Sequence, residues 1–227
     1  MYSKLKNLTD FTRTLIDHFR GKYQSPNKEY FYWNGEPRPE LEQLVNHLSN
    51  PLQPERIVIR TILRSKAVTS ILDAACGPAV ELDGYLLEYP QIKYTGIDRS
   101  AYMLHIAQQK HPSHNFIQGD IHHLPFSSNT FDSVLLKHIL EHLPDYKKPI
   151  EEALRVAQRY VLINFFQPTT PLPFDVHLWS RHGYWQNWYS KDTLHTFFNT
   201  LPIQNYELHT TQGTAQQTAE IYVLKKR

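Results

Sequence analysis

Residues 70–98 read SILDAACGPAVELDGYLLEYPQIKYTGID. An apolar run, SILDA, leads through a cluster of small residues and Pro78 into a segment with helical spacing, AVELDGYLLEY, and then into a second short run, KYTGID. Strand, turn, helix, strand is the pattern of two parallel strands joined by a helical crossover. It continues downstream. NFIQGD (115–120), SVLLK (133–137) and YVLINFF (160–166) are bounded by turn or cap residues, with AYMLHIAQQK (101–110) and DYKKPIEEALRV (145–156) between them at helical spacing. Alternating strands and helices predict an open α/β sheet with right-handed crossovers. The close of the chain differs, because NYELHTT (205–211) and AEIYVLKK (219–226) are joined by a polar segment around Gly213 with no helix. They predict an antiparallel pair. The expected fold is α/β: a Rossmann-like, doubly wound, mostly parallel seven-stranded sheet closed by an antiparallel C-terminal strand pair, with helices at the N-terminus.

Upstream, Leu5, Leu8, Phe11, Leu15 and Phe19 recur at helical spacing. A loop rich in Gly, Pro, Asn and aromatics follows over residues 21–40, and helical patterns run to about residue 66. Residues 1–66 are therefore expected to form a helical cap and lid, and residues 67–227 the core. At 227 residues and 41% hydrophobic content, one substantial core fits better than two domains. A formal charge of +2, from 24 basic and 22 acidic residues, provides no field to attract nucleic acid or anionic lipid. The single cysteine excludes an internal disulfide framework and fits a reducing compartment. No segment has the continuous apolar length of a signal peptide or membrane span. A cytoplasmic protein, monomeric or homodimeric, without nucleic-acid or membrane partners, is the expectation.

The loop after the first strand points to a ligand. Small residues at positions 74, 75, 77 and 79 let a ligand approach the backbone, and Asp98 at the end of the next strand is placed to accept ribose hydroxyls. A dinucleotide fingerprint would have three glycines, but Ala75, Gly77 and Val80 occupy those positions. Asp73, just before the turn, would repel a pyrophosphate and welcome an ammonium or sulfonium. That favours S-adenosylmethionine over NAD.

ILDAACGPA (71–79), YTGIDRS (94–100), FIQGDIHHLPF (116–126) and FDSVLLKHILEHLPD (131–145), in that order, resemble the four cofactor-binding motifs of the class I S-adenosylmethionine-dependent methyltransferases. The similarity is greatest to the small-molecule group that includes the ubiquinone and menaquinone methylases, and it covers roughly residues 65 to 165. The departures are Ala75 and Ala79, where the family usually has glycine. The resemblance implies methyl transfer from S-adenosylmethionine to a small-molecule acceptor, with S-adenosylhomocysteine as product. It implies that Asp73 and the backbone of Ala75 and Gly77 hold the methionine portion and Asp98 the ribose. Asp120 and Ile121 would meet the adenine edge, Arg99 and Met103 would flank the adenosine, and Lys137 would line the same site. Met103 also fits a core stripe with Tyr102 and Ile106, Asp98 and Asp120 also fit turn or cap roles, and Cys76 reads as a small buried residue.

A sulfonium methyl is already electrophilic, so alignment and exclusion of water are the main requirements. Where the acceptor carries a proton, a base helps, and His138 at the carboxyl end of the fourth strand is the expected catalytic base. The stretch HILEH (138–142) also has the HxxEH spacing of a zinc helix. Strand residues before it and Pro144 after it leave room for one or two turns at most, so no metal is expected and His142 reads as a fixture of the turn. Gln167 to Trp188 is an aromatic and proline-rich insertion. Tyr30, Phe31, Trp33, His177, Trp179, Trp185 and Tyr189 are the expected walls of an acceptor pocket suited to a planar or apolar molecule. Two other readings stay open: cofactor binding without methylation, and use of the sulfonium charge to promote a rearrangement or cyclisation. An NAD oxidoreductase is the remaining, least favoured alternative.

Overall fold

The computed structural model describes residues 50–179, 184–213 and 218–227. The expected helix over the first twenty residues, and with it Tyr30, Phe31 and Trp33, lies outside the described residues. In chain order the elements are α1 (Pro54–Ser65), β1 (Ser70–Ala74), α2 (Val80–Glu88), β2 (Lys93–Asp98), α3 (Ala101–Lys110), β3 (Asn115–Gln118) and β4 (Phe131–Lys137). A single 3-10 turn (Leu140–His142) precedes α4 (Lys147–Val156) and β5 (Ala157–Phe165). Then come β6 (Val176–Trp179), β7 (Trp185–Trp188), α5 (Lys191–Thr200), β8 (Ile203–Gln212) and β9 (Thr218–Lys226).

Seven strands form one sheet in the order β3-β2-β1-β4-β5-β9-β8. The first five are parallel, and β9 runs antiparallel to both β5 and β8. This is the expected mostly parallel sheet closed by an antiparallel pair. Because chain order reverses on either side of β1, a crevice opens at the carboxyl ends of β1 and β4, where doubly wound folds bind ligands.

Both faces of the sheet are covered, which is why its central strands are nearly continuous apolar runs. Leu72, Val134, Leu136, Val161 and Ile163 pack on one side with Ile150 and Ala153 of α4 and Leu194 and Phe198 of α5. Their neighbours Ile71, Leu135 and Leu162 pack on the other side with Ile59 and Leu63 of α1 and Leu82 and Tyr85 of α2. Helix α1, expected as part of the cap, thus shares a core cluster with the sheet.

The contact of α1 with α2 depends on a glycine. Arg60 is fully buried, with Nη1 donating to the Pro51 carbonyl at 2.8 Å and Nη2 to Glu88 Oε1 at 2.6 Å. A Cβ at Gly84 would sit 2.3 Å from Arg60 Nη1, so a residue that weakens a helix interior is present to let this arginine cross. The insertion after β5 contains a two-stranded antiparallel ribbon, β6 with β7, which was not expected as strands.

Candidate functional site

Three of the five residues 75–79 hold left-handed backbone: Ala75 (φ +69°), Gly77 (+52°) and Ala79 (+58°). The turn is fixed from β2, because the amides of Ala75 and Cys76 both donate to the Ile97 carbonyl, at 2.8 and 3.0 Å. A Cβ added at Gly77 would meet nothing within 4 Å, so the loop faces open space there. The two alanines therefore adopt the conformation that glycine accepts without penalty, at a cost of about 1 kcal/mol each.

Asp73, at the end of β1, is 2% exposed and accepts a hydrogen bond from the Tyr94 hydroxyl at 2.7 Å. Burial, and then the charge of Glu81, push its carboxyl up to about 7, against the opposing effects of Tyr94, Lys137 and Arg56. Arg56 Nη1 lies 2.6 Å from Glu81 Oε1, and Lys137 Nζ lies 3.5 Å from the same oxygen. Arg56 is 3% exposed and Lys137 8%, so two cations and two acids share a nearly dry corner. Arg56 Nε and Glu81 Oε2 are buried and complete no hydrogen bond among the described residues. Polar atoms left this way are costly and mark a place where a charged partner fits.

At the end of β2, Asp98 accepts the amide of Gly77 on Oδ2 and that of Ser100 on Oδ1, each at 2.8 Å. Burial nevertheless raises its carboxyl above the usual range. Ser100 caps α3 by accepting from the Met103 amide at 3.3 Å. Beyond β3, Asp120 Oδ1 accepts from the His122 amide at 2.9 Å and pairs with His122 Nδ1 at 2.7 Å. Partial burial opposes its ionisation, but these two hydrogen bonds hold the carboxyl below the ordinary value. Cys76 is buried, and burial followed by the charges of Asp73 and Asp98 pushes its thiol well up, which removes it as a nucleophile.

A cavity of about 180 Å³ joins these groups. Asp73, Ala75, Gly77, Asp98, Arg99, Met103, Asp120, Ile121 and Lys137, the positions expected around a cofactor, all line it, and so does His138. His138 is the first residue beyond β4, in the left-handed region at φ +53°. Its imidazole is held well below its ordinary pKa, first by burial and then by the cations Lys137 and Arg56. The ring is thus neutral near pH 7 and able to accept a hydrogen bond.

The HILEH stretch is not a zinc helix. Only Leu140–His142 is helical, as a 3-10 turn, and His142 Nδ1 donates to the Trp185 carbonyl at 2.8 Å. Among the described residues no group of three His, Cys, Asp or Glu side chains has metal-binding geometry. The same turn seats the ribbon: Asn187 Nδ2 donates to the Leu143 carbonyl at 2.6 Å and the Tyr189 hydroxyl to the Leu140 carbonyl at 2.7 Å.

His177, Trp179, Trp185 and Tyr189 are not among the residues lining the cavity. Trp179 packs edge-on against Trp185 at 5.1 Å, and His177 lies 6.5 Å from the Trp185 ring and 6.0 Å from that of Tyr189. Tyr189 is buried against Tyr146 and Phe165, so it braces the turn from behind. The aromatics pack on one another and on main-chain carbonyls of the turn, and His142 and Leu143 of that turn line the cavity.

Arg56, Glu81 and His122 also line the cavity and were not anticipated. Arg56 and Arg60 share the α1 stripe of Ile59 and Leu63, and charges on an apolar stripe were the available signal.

An open α/β sheet with a small-residue loop at its switch point, an acid at the end of each of the first two strands and a third just beyond β3 defines a nucleoside-binding class of site. Residues 72–162 match the family model described as a methyltransferase domain. A demethylmenaquinone methyltransferase of Paenarthrobacter aurescens is 29% identical over 120 residues, 52% of this chain and 47% of that protein. The match thus covers about half the length of this relative. A candidate O-methyltransferase of Nostoc punctiforme has a similar fold, with a TM-score of 0.68 at 15% identity, covering 97% of this chain and 68% of that one. So has the 1,6-didemethyltoxoflavin-N1-methyltransferase of Burkholderia thailandensis, solved with S-adenosylhomocysteine, with a TM-score of 0.62 at 13% identity over 96% and 89%. Residues 72–162 are thus similar in sequence to a methyltransferase domain, and the described chain shares its fold with these solved methyltransferases.

Proposed function

We propose that the chain transfers a methyl group from S-adenosylmethionine to a small-molecule acceptor. The observation that carries this reading is the convergence of Asp73, Asp98, Asp120 and the left-handed loop on one cavity that the buried cations Arg56 and Lys137 also line. A zwitterionic amino-acid tail fits beside them, with Asp73 opposite its ammonium and Arg56 opposite its carboxylate. Asp98 receives the ribose hydroxyls, Arg99 and Met103 flank the nucleoside, and Asp120 with the Ile121 amide meets the adenine edge. When bound, the cofactor would supply an electrophilic methyl group for the lone pair of the acceptor, with S-adenosylhomocysteine as the product. The chain's residues align the partners and keep water out. His138 accepts a hydrogen bond from the acceptor where the acceptor carries a proton, and with Lys137 it marks the end of the cavity where transfer occurs.

No helix of the described residues is long and apolar enough to cross a membrane. The proposal includes a cytoplasmic enzyme, monomeric or homodimeric, acting without nucleic acid; the near-balanced charge and the buried cysteine support it. The test is calorimetric titration with S-adenosylhomocysteine, followed by incubation with S-adenosylmethionine and a panel of phenols, enols, carboxylic acids and amines. Binding together with a product heavier by one CH2 equivalent supports the reading. Failure to bind, or binding with a product of unchanged mass, rejects it.

A further inference from the structure

Asn164 is 1% exposed, near the carboxyl end of β5, and does not line the cavity. It stands beside Lys137 in the β4–β5 register and beside Ile221 in the β5–β9 register, with β5 between the other two strands. Its main-chain carbonyl accepts the His138 amide at 2.8 Å. Its side-chain Nδ2 donates to the Glu220 carbonyl on β9 at 3.2 Å, with a longer contact to the Phe165 carbonyl at 3.4 Å. Turning the amide over would set Oδ1 against both carbonyl oxygens, so the nitrogen stays on the β9 side. Oδ1 therefore faces β4 and His138. It is buried and completes no hydrogen bond among the described residues, a state that is costly unless a donor is supplied.

His138 has the donor. A neutral imidazole carries a proton on one nitrogen and a lone pair on the other, and the neighbours decide which. Lys137 Nζ lies 3.2 Å from Nδ1 and 3.3 Å from Nε2, nearly equidistant, so it favours neither. Arg56 on α1 and His142 on the turn act on the total charge of the ring, and the Phe166 ring packs edge-on at 5.3 Å. The Asn164 side chain acts in the opposite sense to these cations, favouring a proton on the ring.

We propose that Asn164 is a positioning residue: its Oδ1 accepts the N–H of one His138 nitrogen and thereby leaves the other nitrogen unprotonated toward the methyl acceptor. The proposal rests on the reading of His138 as the group that meets the acceptor. A neutral amide fixes the tautomer without stabilising an imidazolium as a carboxylate would. Burial, Lys137 and Arg56 keep the ring uncharged, so His138 orients the acceptor's O–H or N–H and does not store its proton.

The experiment is NMR of the full chain with labelled histidine, His138 assigned by His138→Gln, with and without S-adenosylhomocysteine. In the parent protein the ring shifts should report one tautomer, with no titration between pH 5.5 and 8.5. Asn164→Leu should move the shifts toward a tautomer mixture while the Kd for S-adenosylhomocysteine changes by no more than about twofold. Asn164→Asp, nearly isosteric, should raise the His138 titration midpoint by at least ~1 pH unit. An unchanged tautomer in Asn164→Leu, or a parent ring that titrates near its ordinary value, overturns the proposal. If Asn164→Leu does not fold, an unmoved midpoint in Asn164→Asp overturns it alone. Loss of nucleoside binding in the parent would defeat the cofactor reading and leave the tautomer result legible.

Discussion

Replacing Asp73 by asparagine keeps the shape of the side chain and its hydrogen bond with Tyr94 but removes a charge from a site 2% exposed. The folded carboxyl titrates at about 7, against an ordinary 3.8, because burial and Glu81 disfavour its charge. The sign follows from linkage. A carboxylate whose folded pKa is raised costs stability; the cost is absent below 3.8, grows as pH rises toward 7, and is constant above. At about 1.36 kcal/mol per pH unit the full cost approaches ~4 kcal/mol, an upper limit since local relaxation reduces it. At pH 5.5 about half of that gap has been crossed. Asp73→Asn should therefore gain stability relative to the parent by ~2 kcal/mol more at pH 8.5 than at pH 5.5. Urea unfolding of both proteins at the two pH values measures the difference, and groups common to both cancel. A relative stability that does not change with pH would show that Asp73 ionises at an ordinary pKa and would refute the reasoning.

Asp73 also sets the pH dependence of ligand binding. An ammonium opposite it favours the carboxylate, so affinity for S-adenosylhomocysteine should fall as pH drops below about 7, approaching tenfold per pH unit, while Asp73→Asn binds weakly with a flatter profile; calorimetry across pH 5.5 to 8.5 checks this. Ala79→Gly should leave stability unchanged or raise it by up to ~1 kcal/mol, opposite to the usual effect of glycine near a helix, because φ is +58°. Gly84→Ala should cost ~1–3 kcal/mol, since its Cβ would displace Arg60, and should also weaken S-adenosylhomocysteine binding by shifting α1 and with it Arg56. Thermal melts and titrations of that variant read both effects. His138→Ala should lower turnover by ~10² with nearly unchanged cofactor affinity, and equal turnover would remove the residue from catalysis.

The sheet was legible because burial on both faces writes itself as short apolar runs, and the acids at 73, 98 and 120 were legible because each follows such a run. The sign of φ at Ala75 and Ala79 was not, since alanine carries no mark of the left-handed region. Arg56 was hidden by its own helix: composition shows a charged residue, and only the packing of Arg60 over Gly84 shows that this face turns inward. The packing of Tyr189 was hidden as well. An aromatic with a polar tip suits a pocket wall, but here its hydroxyl satisfies the Leu140 carbonyl and its ring fills the space behind the turn. The β6–β7 ribbon was obscured because VHLW and WQNW are only four residues each, too short for alternation to stand out.

The most direct measurement is a crystal structure of the chain with S-adenosylhomocysteine. The ligand should lie in the cavity with its amino-acid tail between Asp73 and Arg56, its ribose on Asp98, its adenine beside Asp120 and its sulfur directed toward His138. A ligand bound with the tail away from Arg56 and Asp73, or bound outside this cavity, would contradict the assignment.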